Sequence, residues 1–310
     1  MEQSPLGRTL VIANPAASSG KGAQAAEFVG RFLDAYPAAT RAHKLIYTQG
    51  PLDAVRLARE ARGVDTVVAL GGDGVIHEVV NGLMERPRAD RPNLAIIPMG
   101  SGNDYARTLG MEMNNPSASL SQLVSGRIEQ VEVGRVNQSY FMQTLSFGLD
   151  AAVALDTVDR RQAKTSQEGE ELFITSCLKI FSRSSKGWRC NASFDGGKIE
   201  QLRSIIFAMQ VGPTYGGGFK ICPDASPTDG LLDTCYNVKN PPAAWTLALV
   251  GSARFGLHTH SSCVKMRRFS HADLTFESEP PCQMDGERLV AKRFVVDVVP
   301  KALSVVMPRA

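Results

Sequence analysis

The 310-residue chain lacks several signals that would place it in a broad class. No block of Lys and Arg is interleaved with aromatic residues, so we expect no nucleic-acid partner. The first residues lack the basic segment followed by an apolar segment that is typical of a secretory signal peptide. The longest apolar candidate, Ala243–Gly256, is interrupted by Ser252 and Arg254 and is shorter than the ~20 residues of a membrane-spanning helix. We therefore expect a cytoplasmic protein whose contact with the inner face of the membrane, if any, is peripheral.

Metal-binding and disulfide patterns are also missing. The six cysteines are scattered and form no Cys-x-x-Cys pair, which favours reduced thiols over disulfides or a zinc site. The two histidines of His258–His260 have no third ligand nearby in the sequence, and we interpret them as loop histidines. The net charge of +3 suits anionic partners in general. The sequence leaves the oligomeric state open, and a homodimer is compatible with it.

Strand-like and helix-like segments alternate over the first 132 residues. A β-branched run at Arg8–Pro15 ends in Asn-Pro, and Ala26, Val29 and Leu33 then recur at helical spacing. Three further predicted strands, each followed by a helical segment, contain "HKLIYT", "VDTVVALGG" and "NLAIIPMGSGND". This order predicts a doubly wound α/β domain with a parallel sheet. Right-handed crossovers gather the strand-to-helix turns at the carboxyl edge of the sheet, where ligands bind.

The pattern changes after about Glu132. Strand-like pieces separated by Gly, Asn, Asp and Pro predict an all-β domain, an antiparallel sandwich or a barrel-like sheet. Ala154–Gly187 interrupts this pattern, with a polar stretch "QAKTSQEGEE" predicted as a loop and "LFITSCLKIFSR" predicted as a helix.

The stretch "LGGDGVIHEVV" passes from a buried strand to a helix through a turn with almost no side chains. Such a turn lets backbone N–H groups and a helix N-terminus approach phosphate, although a tight turn without a ligand is the alternative. Known phosphate loops do not match, because His77 occupies the third glycine position of G-x-G-x-x-G and the Walker A motif is incomplete. Asp73 within the turn would repel phosphate unless Mg²⁺ lay between them or the carboxylate handled a proton.

Two other turns share this design. Pro98–Asp104 combines Gly100 and Gly102 with the Ser101 hydroxyl, while Asn103 and Asp104 can cap the next helix. Capping alone is the alternative interpretation of this turn. The turn "NPAASSGKG" after the first strand offers Lys21, as a phosphate contact or as a solvated lysine. Two glycine-rich turns at one sheet edge favour a shared nucleotide site.

Five motifs in order, "NPAASSGKG", "GGDGVIHEVVNGL", "PMGSGND", "PDASPTDGLLD" and "MDGE", resemble the soluble diacylglycerol kinase family, which includes bacterial lipid kinases, sphingosine kinases and ceramide kinases. The glycine loop alone also resembles phosphofructokinases and NAD kinases, whereas the combination is specific to lipid kinases. The resemblance covers nearly the whole chain. It implies a phosphofructokinase-like nucleotide-binding domain of residues 1–132 and 300–310, a β-sandwich lipid-substrate domain of residues 133–299, and a cleft between them.

The resemblance also implies a set of nucleotide contacts: Asn14, Thr48, Gly71, Gly72, Asp73, Gly74, Val75, Ile76, His77, Gly100, Ser101 and Asn103. Val75 stands where the family usually has threonine, so that hydroxyl is lost. Ser101 replaces another family threonine and keeps its hydroxyl.

Four carboxylates are candidates for the chemistry. Phosphoryl transfer depends mainly on positioning and charge neutralisation. By resemblance, Asp73 and Asp104 hold the catalytic Mg²⁺ and orient the nucleophile, and Glu287 is the general base. Asp285 remains a second candidate for that base, although Asp-Gly from sequence alone indicates a hairpin turn.

A second metal site is implied in "SPTDGLLD". In similar kinases this loop holds a structural Mg²⁺ through positions matching the Ser226 carbonyl, the Asp229 side chain and the Leu231 carbonyl. The spacing does not match an EF-hand, and an Asp-Gly β-turn without metal is the alternative. Glu132 stands where the family usually has the aspartate linked to this site.

The expected function is that of an ATP-dependent lipid kinase that converts diacylglycerol, or a similar lipid alcohol, to phosphatidic acid or its analogue. The alternatives are a kinase for a sphingoid base or NAD, and a non-catalytic lipid-binding regulator. Lys220 is a candidate contact for an anionic headgroup. The basic segment Leu178–Arg189 either rests on an anionic leaflet or packs as a helix with a solvated basic face.

Overall fold

The computed structural model describes residues 4–163, 169–181 and 187–309. The chain forms two compact units, Met1–Glu132 with Lys301–Ala310 (unit 1) and Val133–Pro300 (unit 2). Two strands contribute residues to both units, β5 (Arg127–Val136) and β16 (Arg293–Met307).

Unit 1 alternates strands and helices. In chain order its elements before β5 are β1 (Arg8–Ala13), α1 (Lys21–Ala35), β2 (Ala42–Tyr47), α2 (Asp53–Glu60), β3 (Thr66–Gly71), α3 (Asp73–Met84), β4 (Asn93–Pro98), α4 (Asp104–Thr108) and α5 (Pro116–Val124). The strands form a parallel sheet in the order β2-β1-β3-β4. The last part of β16 joins β4 through the pair Val305 and Leu94. The predicted α/β class of this part of the chain is confirmed.

The core of unit 1 lies on both faces of this sheet. All six residues of β3 are buried, as expected for a parallel strand covered by helices. Helix α1 buries Ala26, Val29 and Leu33, the residues whose spacing predicted the helix. The strand order reverses between β1 and β3, so the turns after these two strands lie at the position where such sheets bind ligands.

Unit 2 is built mainly from short antiparallel strands. Its elements are β6 (Ser139–Phe141), β7 (Thr144–Gly148), α6 (Leu149–Gln162), α7 (Gly169–Phe181), β8 (Trp188–Phe194), β9 (Glu200–Ser204), β10 (Ile206–Gln210), β11 (Leu232–Asn237), α8 (Ala243–Ala253), β12 (Val264–Phe269), β13 (His271–Phe276), β14 (Cys282–Met284) and β15 (Glu287–Arg288). The predicted helix in "LFITSCLKIFSR" is present as α7. The predicted loop "QAKTSQEGEE" is wrong at its ends, because Gln162 belongs to α6 and residues 169–171 belong to α7, while its residues 164–168 lie outside the described residues.

Two sheets of unit 2 face each other across an aromatic core. One is antiparallel in the order β12-β11-β10-β7-β14-β15, and the other contains β9, β8, β13 and the first part of β16. The Phe147 ring of the first sheet lies 4.8 Å from the Phe294 ring of the second, and Phe269 lies 5.4 Å from Phe194. This arrangement is the predicted β-sandwich. In the described part of the chain, every helix is too short or too polar to span a bilayer.

Candidate functional site

The glycine-rich turn after β3 is tied to both neighbouring strands. The Asn14 N–H donates to the Leu70 carbonyl at 2.9 Å, and the Met99 N–H donates to the Gly71 carbonyl at 2.7 Å. A Cβ on Gly71 would meet the Val75 side chain and the Asn14 Cβ. The ends of β1, β3 and β4 therefore form one continuous edge of the sheet.

Gly72 and Gly100 bring the two turns into backbone contact. A Cβ on Gly100 would lie 2.6 Å from the Gly72 Cα and 2.8 Å from Asn103 Oδ1. Asn103 adopts a left-handed conformation, with φ of 52°, and its Nδ2 donates to the Gly100 carbonyl at 2.7 Å. Asn103 Oδ1 is buried without a hydrogen-bond partner among the described residues. Glycine is required at these positions because the neighbouring turn fills the space of a side chain.

Asp73 connects the two turns through its carboxylate. Its Oδ1 accepts the Tyr105 N–H at 3.5 Å, and the N–H groups of Asn103 and Asp104 also point to this carboxylate, at the start of α4. A Cβ on Gly102 would lie 2.8 Å from Asp73 Oδ2, which explains this second glycine. Burial, followed by the nearby charge of Asp104, raises the pKa of Asp73 to about 7, against the opposing effect of these N–H donors.

Asp104 completes an acid pair with Asp73. It is buried, and its Oδ1 lies 3.8 Å from the Arg107 guanidinium, which also donates to the Gly102 carbonyl at 2.7 Å. Two carboxylates this close, of which Asp104 raises the pKa of Asp73, suit a divalent cation, whose charge would relieve their repulsion. The donor set therefore fits Mg²⁺, which prefers carboxylate oxygens together with phosphate and water.

The remaining predicted nucleotide contacts fall into two groups. The side chains of Val75, Ile76 and His77 are buried, and the His77 ring lies 3.2 Å from the Asn81 amide. A nucleotide contact of these three residues would therefore involve mainly their main chain. Gly74 and Ser101 are exposed, in contrast.

Two predicted contacts follow neighbouring strands of the sheet. Thr48 is half-buried directly after β2, and its N–H donates to the Ala13 carbonyl at 2.9 Å. Asn14 follows β1, and its Oδ1 accepts the Ala16 N–H at 2.9 Å. All the predicted nucleotide contacts therefore lie in unit 1, at or next to the carboxyl ends of its strands.

Asp285 and Glu287 lie in unit 2 and have different environments. Asp285 and Gly286 form the turn of the β14–β15 hairpin, with φ of 49° and 95°. The Asp285 carboxylate accepts the N–H groups of Met142, Gln143 and Thr144 at 2.8, 3.0 and 2.8 Å. Its role is thus to hold the connection between β6 and β7.

Glu287, the first residue of β15, is exposed. No hydrogen bond or ion pair to its carboxylate occurs among the described residues. Of the two carboxylates, Glu287 is the one whose oxygens are open to accept a proton, because those of Asp285 are occupied by backbone donors.

In the loop that was predicted to hold a structural metal, the Asp229 carboxylate forms an ion pair with an arginine. Asp229 Oδ1 accepts the Leu231 N–H at 3.0 Å, and its Oδ2 forms an ion pair with Arg268. The Ser226 hydroxyl lies 3.1 Å from the Thr228 hydroxyl. The metal site predicted at Ser226, Asp229 and Leu231 stays a prediction, because Arg268 pairs with Asp229 while Asp224 and Asp233 add further negative charge nearby. In the described part of the chain, no three His, Cys, Asp or Glu side chains cluster in a way that would hold a metal.

A second acidic side chain, Asp233, lies beside the same arginine. Asp233 of β11 pairs in register with Arg268 of β12, and its Oδ2 lies 3.8 Å from the Arg268 Nε. Burial raises the pKa of Asp233 to about 6, with Arg268 opposing the rise and Asp229 and Asp224 adding to it. Arg268 therefore lies beside two acidic side chains, those of Asp229 and Asp233. Glu132, at the family position linked to the metal, is buried.

An apolar cavity in unit 2 was not anticipated from the sequence. It encloses about 90 Å³ and is lined mainly by aliphatic and aromatic side chains, among them Ile206, Phe219, Leu249 and Val250. Among the described residues that line it, the one carboxyl group belongs to Asp150, in the first turn of α6. A sequence signal did exist, because Asp150 is the only charged residue between Arg135 and Asp156.

The burial of the Asp150 carboxyl is only partly compensated. Neither oxygen has a hydrogen-bond partner of good geometry among the described residues. Burial raises its pKa to about 7, and the nearby Ser146 hydroxyl and Ala151 N–H offset only part of the rise. A group so placed can donate a hydrogen bond when protonated, or pair with a polar ligand group inside the cavity.

Two other features were predicted on the lipid side, Lys220 and the basic segment Leu178–Arg189. Lys220 is exposed, and its N–H donates to the Ala253 carbonyl at 2.9 Å. Of the predicted basic segment Leu178–Arg189, residues 182–186 lie outside the described residues. Arg189 is an exposed residue of β8 whose guanidinium lies 3.6 Å from Glu277.

Comparison with protein families assigns both parts of the chain. Residues 8–136 match the diacylglycerol kinase catalytic domain, and residues 135–307 match the YegS C-terminal NAD kinase beta sandwich-like domain. The chain therefore belongs to the diacylglycerol kinase and YegS-like family of lipid kinases. The predicted resemblance is confirmed.

Individual relatives agree with this assignment. A diacylglycerol kinase of Bacillus subtilis is 29% identical over 258 residues, covering 80% of this chain and 83% of the relative. A "Probable lipid kinase YegS-like" of Yersinia enterocolitica is 28% identical over 270 residues, covering 86% of each.

Solved structures show the same fold. A diacylglycerol kinase from Bacillus anthracis superposes with a TM-score of 0.79 at 20% identity, covering 99% of this chain and 98% of that one. An NAD kinase from Archaeoglobus fulgidus in complex with ATP is more distant, with a TM-score of 0.54 at 13% identity over 97% of this chain and 93% of that one.

Proposed function

We propose that this lipid kinase transfers the γ-phosphoryl group of ATP to the hydroxyl of diacylglycerol or a similar lipid alcohol. The observation that carries the proposal is the acid pair of Asp73 and Asp104, which lie at two glycine-rich turns in backbone contact at the carboxyl edge of a parallel sheet. The apolar cavity of unit 2 supports a lipid acceptor over a polar one such as NAD.

The chain's own groups would perform three tasks. Main-chain N–H groups of the turns at Gly72 and Gly100 approach the phosphates, since no Cβ separates them from a ligand. Asp73 and Asp104 would hold Mg²⁺, which supplies charge neutralisation to the phosphates when bound. The Glu287 carboxylate accepts the hydroxyl proton as the lipid oxygen bonds to the γ-phosphorus and the bond to the β,γ-bridging oxygen breaks, releasing ADP.

The test is a phosphorylation assay with radiolabelled ATP and Mg²⁺ against a panel of acceptors in mixed micelles. The panel contains diacylglycerol, monoacylglycerol, ceramide, a sphingoid base and NAD. We expect label in diacylglycerol and its loss when EDTA removes the divalent cation. Label in NAD alone, or in no acceptor, would overturn the proposal.

Two variants separate the hairpin carboxylates. Glu287→Gln removes the proton acceptor and should lower turnover at least ~100-fold at an unchanged melting temperature. Asp285→Asn places an amide donor against backbone N–H groups, so it should lower the melting temperature as well as turnover. Full activity of Glu287→Gln, with loss of activity in a stably folded Asp285→Asn, would assign the base to Asp285 instead.

A further inference from the structure

We propose that the outer face of α8 and the turn after it form a docking surface for an anionic lipid bilayer. This surface, the α8 surface, consists of Val238, Trp245, Ala248, Phe255 and Leu257. The inference rests on the proposed function, because a kinase of long-chain lipid alcohols has to meet its acceptor at a membrane.

Helix α8 has no polar face. Its eleven residues, AAWTLALVGSA, include no charged side chain. Thr246, Leu249, Val250 and Ala253 line the apolar cavity beneath the helix. A surface helix of a water-soluble protein ordinarily places charged and polar residues on its outer side. Here the outer side carries Trp245 and Ala248, both exposed.

Large apolar side chains extend this face beyond the helix. Trp245 is 56% exposed, and Phe255 and Leu257, just after the helix, are 73% and 58% exposed. Positions 245, 248 and 252 recur at spacings of three and four, which places Trp245, Ala248 and the half-buried Ser252 on one side of α8, and Phe255 follows in the turn after the helix. Val238, before the helix, is 47% exposed. An exposed apolar cluster of this kind marks an interaction site.

The charges around the α8 surface identify the occupant as anionic. Of the five Lys and Arg residues between Thr234 and Ala272, three pair with acids, Lys265 and Arg267 with Glu200 and Arg268 with Asp229, which leaves Lys239 and Arg254 for the α8 surface. Lys239 and Arg254 stand at the two ends of α8, with Arg254 held by the Gly217 carbonyl at 3.1 Å and by the Phe219 ring at 5.7 Å. Basic residues beside an apolar face attract the anionic lipids of a cytoplasmic leaflet.

The small volume of the cavity favours a bilayer over a protein as the occupant of the α8 surface. Its volume of about 90 Å³ is below the ~150 Å³ of an engineered cavity that holds benzene, so two long acyl chains cannot enter it together. Most of the acceptor lipid therefore stays in an apolar phase. A bilayer against the outer side of α8 supplies that phase next to the cavity. Tryptophan at this position is typical of the membrane interface.

The test is co-sedimentation with vesicles of phosphatidylcholine and phosphatidylglycerol (7:3), compared with pure phosphatidylcholine. The wild-type chain should bind the anionic vesicles more tightly. The double variant Trp245→Ser, Phe255→Ser should lower the partition coefficient at least ~10-fold, because two exposed side chains no longer insert. The matched control is Ile199→Ser, another exposed apolar residue of unit 2, at 70% exposure, which should bind as the wild type does.

A second measurement separates this inference from the proposed function. With a monomeric short-chain diacylglycerol, the double variant should keep wild-type turnover, whereas with long-chain diacylglycerol in vesicles its turnover should fall. Wild-type vesicle binding by a folded double variant would overturn the docking surface even if lipid turnover is found. Unchanged vesicle binding together with loss of a dimer in light scattering would assign the surface to a second copy of the chain and would equally overturn it.

Discussion

Asp73 in unit 1 and Asp150 in unit 2 are both buried carboxyl groups with pKa values raised to about 7, yet their surroundings differ. Asp73 receives backbone N–H donors from the start of α4 and lies beside a second carboxylate, Asp104. Asp150 lies in an apolar cavity with neither oxygen well hydrogen-bonded. Backbone donors and a neighbouring acid suit a cation, whereas an isolated acid in an apolar cavity costs stability and is typical of a binding site.

The substitution with the largest expected effect, Gly100→Ala, tests the contact between the two glycine-rich turns of unit 1. Gly100→Ala places a Cβ against the Gly72 backbone at 2.6 Å, so both turns have to move. We expect at least a ~100-fold loss of kcat/KM in the lipid kinase assay, because displacement by about 1 Å has this effect on positioned groups. Gly102→Ala meets the Asp73 carboxylate at 2.8 Å and should cost less, roughly 10-fold.

The control for this pair is Gly50→Ala. Gly50 is exposed, and an added Cβ would meet nothing within 4 Å. Its kcat/KM should stay within about twofold of the wild type, since surface substitutions usually change little. Equal activity of Gly50→Ala and Gly100→Ala would contradict the interlocked arrangement of the turns.

The next effect concerns the stability cost of Asp150. Its folded pKa of about 7 lies above the unfolded value of 3.8, so the folded state holds the proton more tightly. The contribution of Asp150 to the free energy of unfolding is therefore greatest below about pH 4 and falls as the pH rises toward 7. Asp150→Asn should raise the free energy of unfolding at pH 8 by about 2–4 kcal/mol and by much less at pH 4.

Urea unfolding from pH 4 to pH 8 measures this difference. Asp159→Asn is the control on the same helix, because Asp159 is exposed and, among the described residues, its carboxylate pairs with Arg288 alone, at 3.2 Å. Surface pairs of this kind contribute less than about 1 kcal/mol. A gain of stability for Asp150→Asn that is equal at both pH values would show that burial of the charge is not its cause.

The smallest expected effect has the opposite pH dependence. Hydrogen bonds from the Arg8 side chain and its N–H lower the pKa of Asp65 to about 2. Its contribution to stability is present above about pH 4 and is lost as the pH falls toward 2. Asp65→Asn should cost about 1 kcal/mol at pH 7, a value reduced for partial exposure, and almost nothing near pH 2.

Chemical denaturation at the two pH values checks this prediction, with Glu27→Gln on the exposed side of α1 as the control. If Asp65→Asn and Asp150→Asn changed stability in the same direction at pH 8, the contrast between paired and isolated carboxylates would fail.

Much of unit 1 could be predicted because its signals are local. Short stretches of sequence contain the alternating apolar runs, the helical spacing and the glycine-rich turns. These local patterns are nearly sufficient to predict a parallel sheet. The glycines of the turns were predicted to admit a ligand, but the structure adds another reason for them. Gly100 and Gly102 make room for Gly72 and Asp73, residues on a different turn.

The features of unit 2 that could not be predicted depend on distant residues. The Asp285 carboxylate holds backbone groups at 142–144, more than a hundred positions earlier in the chain. Arg268 meets Asp229 because β12 pairs with β11 in a register that also sets it opposite Asp233. The sequence alone could exclude α8 as a membrane span, because the helix is too short. Why both of its sides are apolar could not be predicted, because one side lines a cavity that only the structure shows.

The amino-acid sequence by itself determined the family, the α/β and β-sandwich classes and the position of the glycine-rich turns, since these follow from periodicity and short motifs. Only the tertiary structure decided which carboxylates are buried, paired or open. The charge state of a side chain depends on the dielectric and the donors around it, and those are supplied by residues far apart in the chain.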